Sequence, residues 1–401
     1  MPHQGLAAML ATAVLGSTMV ASCAGDSADA PRAYRFRVPP GQTYDLIRGQ
    51  VIPPDAHVER LAGVKLLFLG EQHTDPRSHE AQLDLLRGMQ ARGRRLTVAL
   101  EMLPDGADAA LEAWRQGSLG EAEFLERSGW YDAWGHPWRA YRELFLWFRE
   151  HKIPLRGINV DEKTRAAARK GDVAALPEDV RREAGDLDAV LEPHRDYVLD
   201  TLRETGHGEN LDAESPQFRS LLRVQTLWDR VLGRRAAGLA QAQPPDGAVV
   251  VLIGSGHLAW RLGANLWAAQ AGPLPQLSLW DATVARERLD AGGRAPVPVG
   301  IADWARVYVA EDAPPGFPSL AGIKLVASTG GVTMESVGSF AAPYTKPFQA
   351  KDVIQSLNGQ PVTSVARLRM EFEALAWGET VPVAVLRAGQ PVTLTLRLQR
   401  D

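Results

Sequence analysis

Two four-residue segments, Gly70-Glu71-Gln72-His73 and Gly254-Ser255-Gly256-His257, each place a histidine three residues after a glycine, directly behind an apolar run. Two further apolar runs end in Glu101 and Asn159. Imidazole and carboxylate groups are the ligand set of zinc, manganese and iron. The same groups also move protons without any metal. The glycines let the backbone turn sharply and let a ligand approach closely. Four distant stretches of chain thus deliver Glu71, His73, Glu101, Asn159 and His257 as candidates for one binding or catalytic site.

Two helical stretches add polar groups. Asp75-Pro76 predicts a helix start, with Asp as N-cap and Pro at the first helical position. His79 and Gln82 follow on the face that carries Leu86 and Met89. Over residues 221–232, Gln225, Trp228 and Asp229 fall on an otherwise apolar stripe. Polar groups on an inward face are costly unless they are paired or bind something. Each has a plain structural reading beside it: a strand-end histidine can be a satisfied loop residue, Asp75 a cap, and Asp229 a partner for an arginine such as Arg230. Their joint arrival at strand ends is what points to a site.

The elements that must hold these groups are legible as hydrophobic runs. Residues 64–69, 96–100, 153–158 and 248–253 have the length and content of buried parallel strands. Helical patterns at 78–92 (Leu83, Leu86, Met89) and 137–150 (Leu144, Phe145, Phe148) suit crossovers, and a longer charged helical region spans about 178–241. This alternation predicts an α/β domain with a mostly parallel sheet flanked by helices. In such sheets ligands bind beyond the carboxyl ends of the strands, which is where the polar residues lie.

At 401 residues two domains are expected. A composition of 45% hydrophobic and 23% charged residues fits globular domains and argues against wholesale disorder. The net charge of −4 gives no global electrostatic case for nucleic acid or for an anionic membrane surface. One cysteine excludes an intramolecular disulfide framework and a cysteine-based zinc cage. Eleven tryptophans suit core packing or aromatic walls around a flat ligand.

The cysteine is Cys23, behind the small and apolar stretch 6–20 and Ala21-Ser22. That is a secretory leader with its cleavage site, too short to span a bilayer. With Cys at the first mature position it is similar to a lipobox, although the first five residues contain no Lys or Arg. The expectation is a signal peptide over 1–22, lipidation of Cys23, a polar tether in the 23–50 linker, and a cell-envelope location on a lipid anchor.

After Ala310 the pattern changes. Residues 311–318 form a Pro/Gly-rich linker, and shorter runs fill 319–401. Residues 352–359 predict a strand ending in an Asn358-Gly359 turn. Residues 364–377 predict a helix closed by Gly378. Residues 381–386 and 392–398 predict a hairpin. The fold class is therefore an α/β domain over 51–310 plus a small, β-rich C-terminal domain.

At these residues the chain resembles the ChaN branch of the haem-binding uptake/Tiki superfamily, with TraB and erythromycin-esterase proteins more distant. The resemblance rests on Leu69-Gly70-Glu71-Gln72-His73-Thr74-Asp75-Pro76, Ala99-Leu100-Glu101-Met102, Arg156-Gly157-Ile158-Asn159, Val224-Gln225-Thr226-Leu227-Trp228-Asp229 and Ile253-Gly254-Ser255-Gly256-His257. It implies a membrane-attached haem-binding protein of iron acquisition, with haem held in a homodimer. The Tiki branch implies a metal-dependent peptidase instead. Carried over, Glu71, His73, Glu101 and His257 take the metal and catalytic positions, for Zn, Mn or Fe. His79, Gln82, Asn159, Trp228 and Asp229 line the cofactor site. Family members often carry a second histidine just before His79, where this chain has Ser78. Tyrosinate can ligate haem iron, which brings in Tyr141 and Tyr131, the latter within Trp130-Tyr131-Asp132-Ala133-Trp134-Gly135-His136-Pro137-Trp138. The same stretch also reads as a packing loop.

The C-terminal segment resembles a bacterial PDZ domain over 352–362, the helix and 385–389, and departs from it over 343–351. The resemblance implies an extended peptide or protein C-terminus bound by strand addition, with Thr329-Gly330-Gly331 and the following strand as the groove. Three functions follow as alternatives: a haem- or metal-binding envelope lipoprotein, a metal-dependent hydrolase, and a scaffold with an inert site.

Overall fold

The computed structural model describes residues 34–204, 211–338 and 341–400. The predicted leader and Cys23 lie outside these residues. An antiparallel ribbon pairs β1 (Arg35–Val38) with β9 (Ala295–Pro298). The main sheet contains β2 (Thr43–Asp45), β3 (Gln50–Val51), β4 (Leu66–Glu71), β5 (Arg95–Pro104), β6 (Leu155–Asn159), β7 (Gly247–Gly254), β8 (Gln276–Val284) and β10 (Trp304–Val309). Their order is β3-β2-β10-β8-β4-β7-β5-β6. The six strands from β10 to β6 are parallel, and β2 and β3 close one edge antiparallel.

The four expected strands are β4, β5, β6 and β7. β8 and β10 extend the sheet because their polar residues are paired inside it. Asp303 accepts hydrogen bonds from Ser278 N–H at 2.8 Å and Ser278 Oγ at 2.9 Å, and Arg306 donates to Thr43 Oγ1 at 2.6 Å. Such pairing makes burial of these groups tolerable, while their polarity breaks the apolar run that marks a strand in sequence.

Side chains alternate between the two sheet faces. Leu67 and Leu69 enter one core with Leu83, Leu86 and Met89 of α1 (Pro76–Ala91). The same core takes residues from α2 (Glu121–Ser128), α3 (Trp130–Ala133) and α4 (Trp138–Glu150). Leu66 and Phe68 enter the opposite core with Val224, Leu227 and Val231. Helices α5 (Glu192–Glu204) and α6 (Pro216–Gln241) lie on that second side. α1 begins as expected: Asp75 Oδ1 accepts from Arg77 N–H at 3.0 Å, and Pro76 occupies the first turn.

The C-terminal domain is an antiparallel sheet in the order β11 (Ile323–Ser328), β12 (Gly331–Val337), β13 (Val353–Leu357), β15 (Thr380–Arg387), β16 (Gln390–Arg397), with β14 (Gln360–Pro361) paired to β13. Helix α7 (Val365–Glu373) starts at its Ser364 N-cap and ends before the expected Gly378. Asn358-Gly359 and Ala388-Gly389 all have positive φ, the signature of two-residue hairpin turns whose twist matches the strands. One expectation is corrected. The strand after Thr329-Gly330-Gly331 is β12, whose two edges are already paired with β11 and β13. The edge strands of this sheet are β11 and β16.

The two domains are docked. Arg139 N–H donates to Glu373 Oε2 at 3.1 Å, and its guanidinium donates to Glu373 O at 2.8 Å. Arg369 of α7 stacks 5.4 Å from the Tyr131 ring centre and donates to the carbonyls of Leu320 and Ile323. Ala366 of α7 is buried in the core of the first domain.

Candidate functional site

The predicted residues gather at the carboxyl edge of the sheet, but they divide into two clusters, one on each face. Glu71 continues the alternation of Leu67 and Leu69 and so faces α1 and α4. Its Oε1 accepts from His73 Nδ1 at 3.0 Å and from the Tyr141 hydroxyl at 2.6 Å, and its Oε2 accepts from Gln82 Nε2 at 3.0 Å. Burial alone would raise this carboxyl; nearby His79 and the hydrogen bonds from His73 and Tyr141 overcome it and hold the pKa at about 2. His79 Nε2 lies 3.1 Å from His73 O. His79 and Gln82 are therefore positioning residues behind Glu71 and His73. With Nδ1 of His73 turned to the Glu71 carboxylate, Nε2 is the ring nitrogen on the Gly254 side.

Glu101 lies on the opposite face. The β5–β7 ladder ends at the Leu100–Leu252 pair, which leaves Glu101 as the first residue beyond it. Its Oε2 accepts from Gly254 N–H at 2.5 Å, and its Oε1 is 3.1 Å from His257 Nε2. His257 Nδ1 sits 2.6 Å from Asp229 Oδ1, and Asp229 Oδ2 is 3.0 Å from His194 Nε2. Burial pushes His257 down, but Glu101 and Asp229 prevail and raise it to about 10. Trp228 packs edge-on at 6.0 Å. Asn159 contributes a clasp rather than a ligand: its Nδ2 donates to Glu101 O at 2.7 Å and its Oδ1 accepts from Val160 N–H.

The clusters meet at Gly254. A Cβ there would stand 2.7 Å from His73 Cε1, 3.0 Å from His73 Nε2 and 3.6 Å from Glu101 Oε2. Gly70 is confined in the same way: a Cβ there would stand 2.6 Å from Ser255 Oγ and 2.7 Å from Leu279 O. The first glycine of each motif is thus required by close approach to another strand end.

The four expected metal residues stand as two pairs, Glu71–His73 and Glu101–His257, on either side of Gly254. Among the described residues no three His, Cys, Asp or Glu side chains are arranged to hold a metal ion. His257 lies between the Glu101 and Asp229 carboxylates, which favour its protonated form. The two expected tyrosines lie in different surroundings. The Tyr141 hydroxyl is spent on Glu71 and held well above its usual pKa, first by burial and then by Glu71. Tyr131 lies under Arg369 at the domain junction and is likewise raised, by burial and Glu373.

Three residues join the site that the motifs did not single out. His136 sits 5.0 Å from both His73 and Trp134, and Trp134 packs edge-on to His73 at 4.4 Å. Burial, then His73, depress His136 to about 3, so it is neutral at ordinary pH. It is half-buried, at the rim, and no hydrogen bond reaches its ring nitrogens among the described residues. His194 extends the Asp229 pair. Asp281, buried near Glu71 and Asp75, is raised by burial to about 7. The signal for His136 was its place in the aromatic stretch; His194 and Asp281 belong to no motif.

Residues 57–267 match the family described as haem-binding uptake, Tiki superfamily, ChaN, and residues 319–398 match the PDZ domain family. The solved structure of cofacial haem binding to ChaN of Campylobacter jejuni is 17% identical, covers 66% of this chain and 95% of that chain, and has a TM-score of 0.51. At that identity it shows a shared fold. The periplasmic serine endoprotease DegP of Salmonella typhimurium is 40% identical over 53 residues, 13% of this chain and 11% of that protein. The chain thus spans about a tenth of the length of this curated relative.

Proposed function

The chain belongs to the haem-binding uptake, Tiki superfamily, ChaN family, and from that premise we propose that it is an envelope lipoprotein of iron handling which binds haem at the rim formed by His136 and Trp134, in front of His73. The observation that carries this reading is His136: a neutral imidazole, half-buried, with no hydrogen bond to either ring nitrogen among the described residues. The donor set fits the group, since imidazole is a haem-iron ligand, and the buried Trp134 ring packs 5.0 Å from the His136 ring and supports it from behind. Bound haem would supply the iron; the chain's own part is to orient and ligate it. His136 faces the ligand, His73 backs it, and Glu71, Gln82, His79 and Tyr141 fix His73 in place.

A rim site covers one side of a flat ligand. The other side would be covered by a second copy of the chain, which makes the functional unit a homodimer. The Glu101–His257–Asp229–His194 chain is a charged lock that fixes the sheet edge from the other face. Lipidation of Cys23 would hold the protein at the membrane, and the PDZ domain would dock an extended peptide or protein C-terminus along β11. Hemin titration of the apo-protein followed by visible absorption, with sedimentation for the dimer, tests the proposal. A saturable Soret shift supports it, and a linear, unsaturable response refutes it.

A further inference from the structure

Helix α7 belongs to two cores at once. Leu368 and Phe372 are buried in the C-terminal domain, while Ala366 is buried in the core of the first domain and Met370 packs against that core. Ala366, Arg369, Met370 and Glu373 follow the i, i+3, i+4, i+7 spacing of one helix face, so a single stripe meets the first domain. Glu373 also completes α4. Pro137, which precedes α4, supplies no side-chain cap. The Glu373 carboxyl accepts from Arg139 N–H at 3.1 Å instead and satisfies one of the free donors of that helix end.

Arg369, in the same stripe, reaches back to its own sheet. Its Nη2 donates to Ile323 O at 2.8 Å and its Nη1 to Leu320 O at 3.1 Å. Ile323 opens β11, an edge strand. Gly322 O, just before it, accepts from Gly338 N–H on the β12 side at 2.8 Å. Alternate residues of an antiparallel ladder turn their backbone groups away from the partner strand, which leaves Ile323 O on the open side of β11. The guanidinium therefore holds an acceptor that an added strand would use. Tyr131 of the first domain covers it, with the ring centre 5.4 Å away, and Arg369 Nε is buried without a hydrogen-bond partner. That unmade bond is a cost of the docked state, and it is removed when the group reaches water.

We propose that the domain junction closes the C-terminal domain to peptides: Arg369, covered by Tyr131, occupies the start of the β11 edge, and an extended peptide adds to β11 only when α7 leaves the first domain. The inference rests on the reading of this domain as a peptide-docking module and adds its regulation. The docked and peptide-bound states compete for one backbone carbonyl. The apparent affinity for peptide is then reduced by the fraction of molecules in which the junction is open.

The test compares the full chain with two variants that open the junction from opposite sides, Arg369→Ala in α7 and Tyr131→Ala in the first domain. All three are screened against an array of peptides of about ten residues with free C-termini, and the affinity of the tightest binder is measured by fluorescence anisotropy. Each variant is expected to bind it about tenfold tighter than the parent or better. Saturating peptide is expected to speed cleavage of the parent within 311–318, since binding draws α7 away from the first domain. Tyr131→Ala leaves every residue of the C-terminal domain in place, so a purely structural role for Arg369 would leave its peptide affinity at the parent value. Either variant decides the question if the other fails to fold. Equal affinity in the parent and the variants overturns the closure and leaves the peptide reading standing. Absence of binding by all three chains overturns the closure together with the peptide reading beneath it.

Discussion

Gly254 approaches His73 so closely that a Cβ at position 254 would fall 2.7 Å from His73 Cε1. The glycine of the second motif is therefore fixed by the histidine of the first, and the two motifs form one structure although 180 residues of chain lie between them. The contact also joins the two faces of the sheet, with Glu71 behind His73 and Glu101 accepting from the Gly254 amide.

Gly254→Ala forces His73 off its bond to Glu71. Overpacking of a filled site costs roughly 1–3 kcal/mol, and thermal unfolding is expected to show a loss of that size. Hemin affinity falls with it, since His73 supports the rim. An alanine variant with unchanged stability and affinity would show that the approach is looser than described.

His257→Gln leaves Glu101 and Asp229 buried without their shared cation. Removing one partner of a buried charge pair costs about 3–5 kcal/mol, to be read from urea unfolding. The pH dependence follows from the direction of the shift. A folded-state pKa raised to about 10 above the ordinary histidine value contributes stability that is complete below about pH 6.5 and lost as pH rises through 10. Between pH 7 and 10 the parent chain should lose stability more steeply than the variant.

Arg369→Ala removes the stack on Tyr131, which crosses the domain junction, and the bonds to Leu320 O and Ile323 O, which tie α7 to its own sheet. The expected result is faster proteolytic cleavage within 311–318 and a loss of about 1–2 kcal/mol. Unchanged cleavage would mean that the Arg139–Glu373 bonds and the burial of Ala366 suffice to hold the domains together.

Much of this architecture was legible because its signals are local. The four parallel strands announce themselves as apolar runs, Asp75-Pro76 as a helix start, and Asn358-Gly359 as a hairpin turn. β8 and β10 were not legible, because Ser278 and Arg306 are polar and only their partners, Asp303 and Thr43, explain their burial. The division of the site was hidden for a related reason. Whether Glu71 and Glu101 face the same side depends on where each stands in the alternation of its strand and on where the β5–β7 ladder stops. His136 is hidden among tryptophans, and what sets it apart is that no hydrogen bond reaches its ring nitrogens among the described residues.

The most direct test compares hemin binding by the parent chain with that of His136→Ala, His73→Ala and Tyr131→Phe, read as the Soret shift against hemin concentration. The account predicts saturable binding in the parent, at least a tenfold loss (about 1.4 kcal/mol or more) in each histidine variant, and parent-like binding in Tyr131→Phe. Undiminished binding in His136→Ala, or a loss confined to Tyr131→Phe, would contradict it.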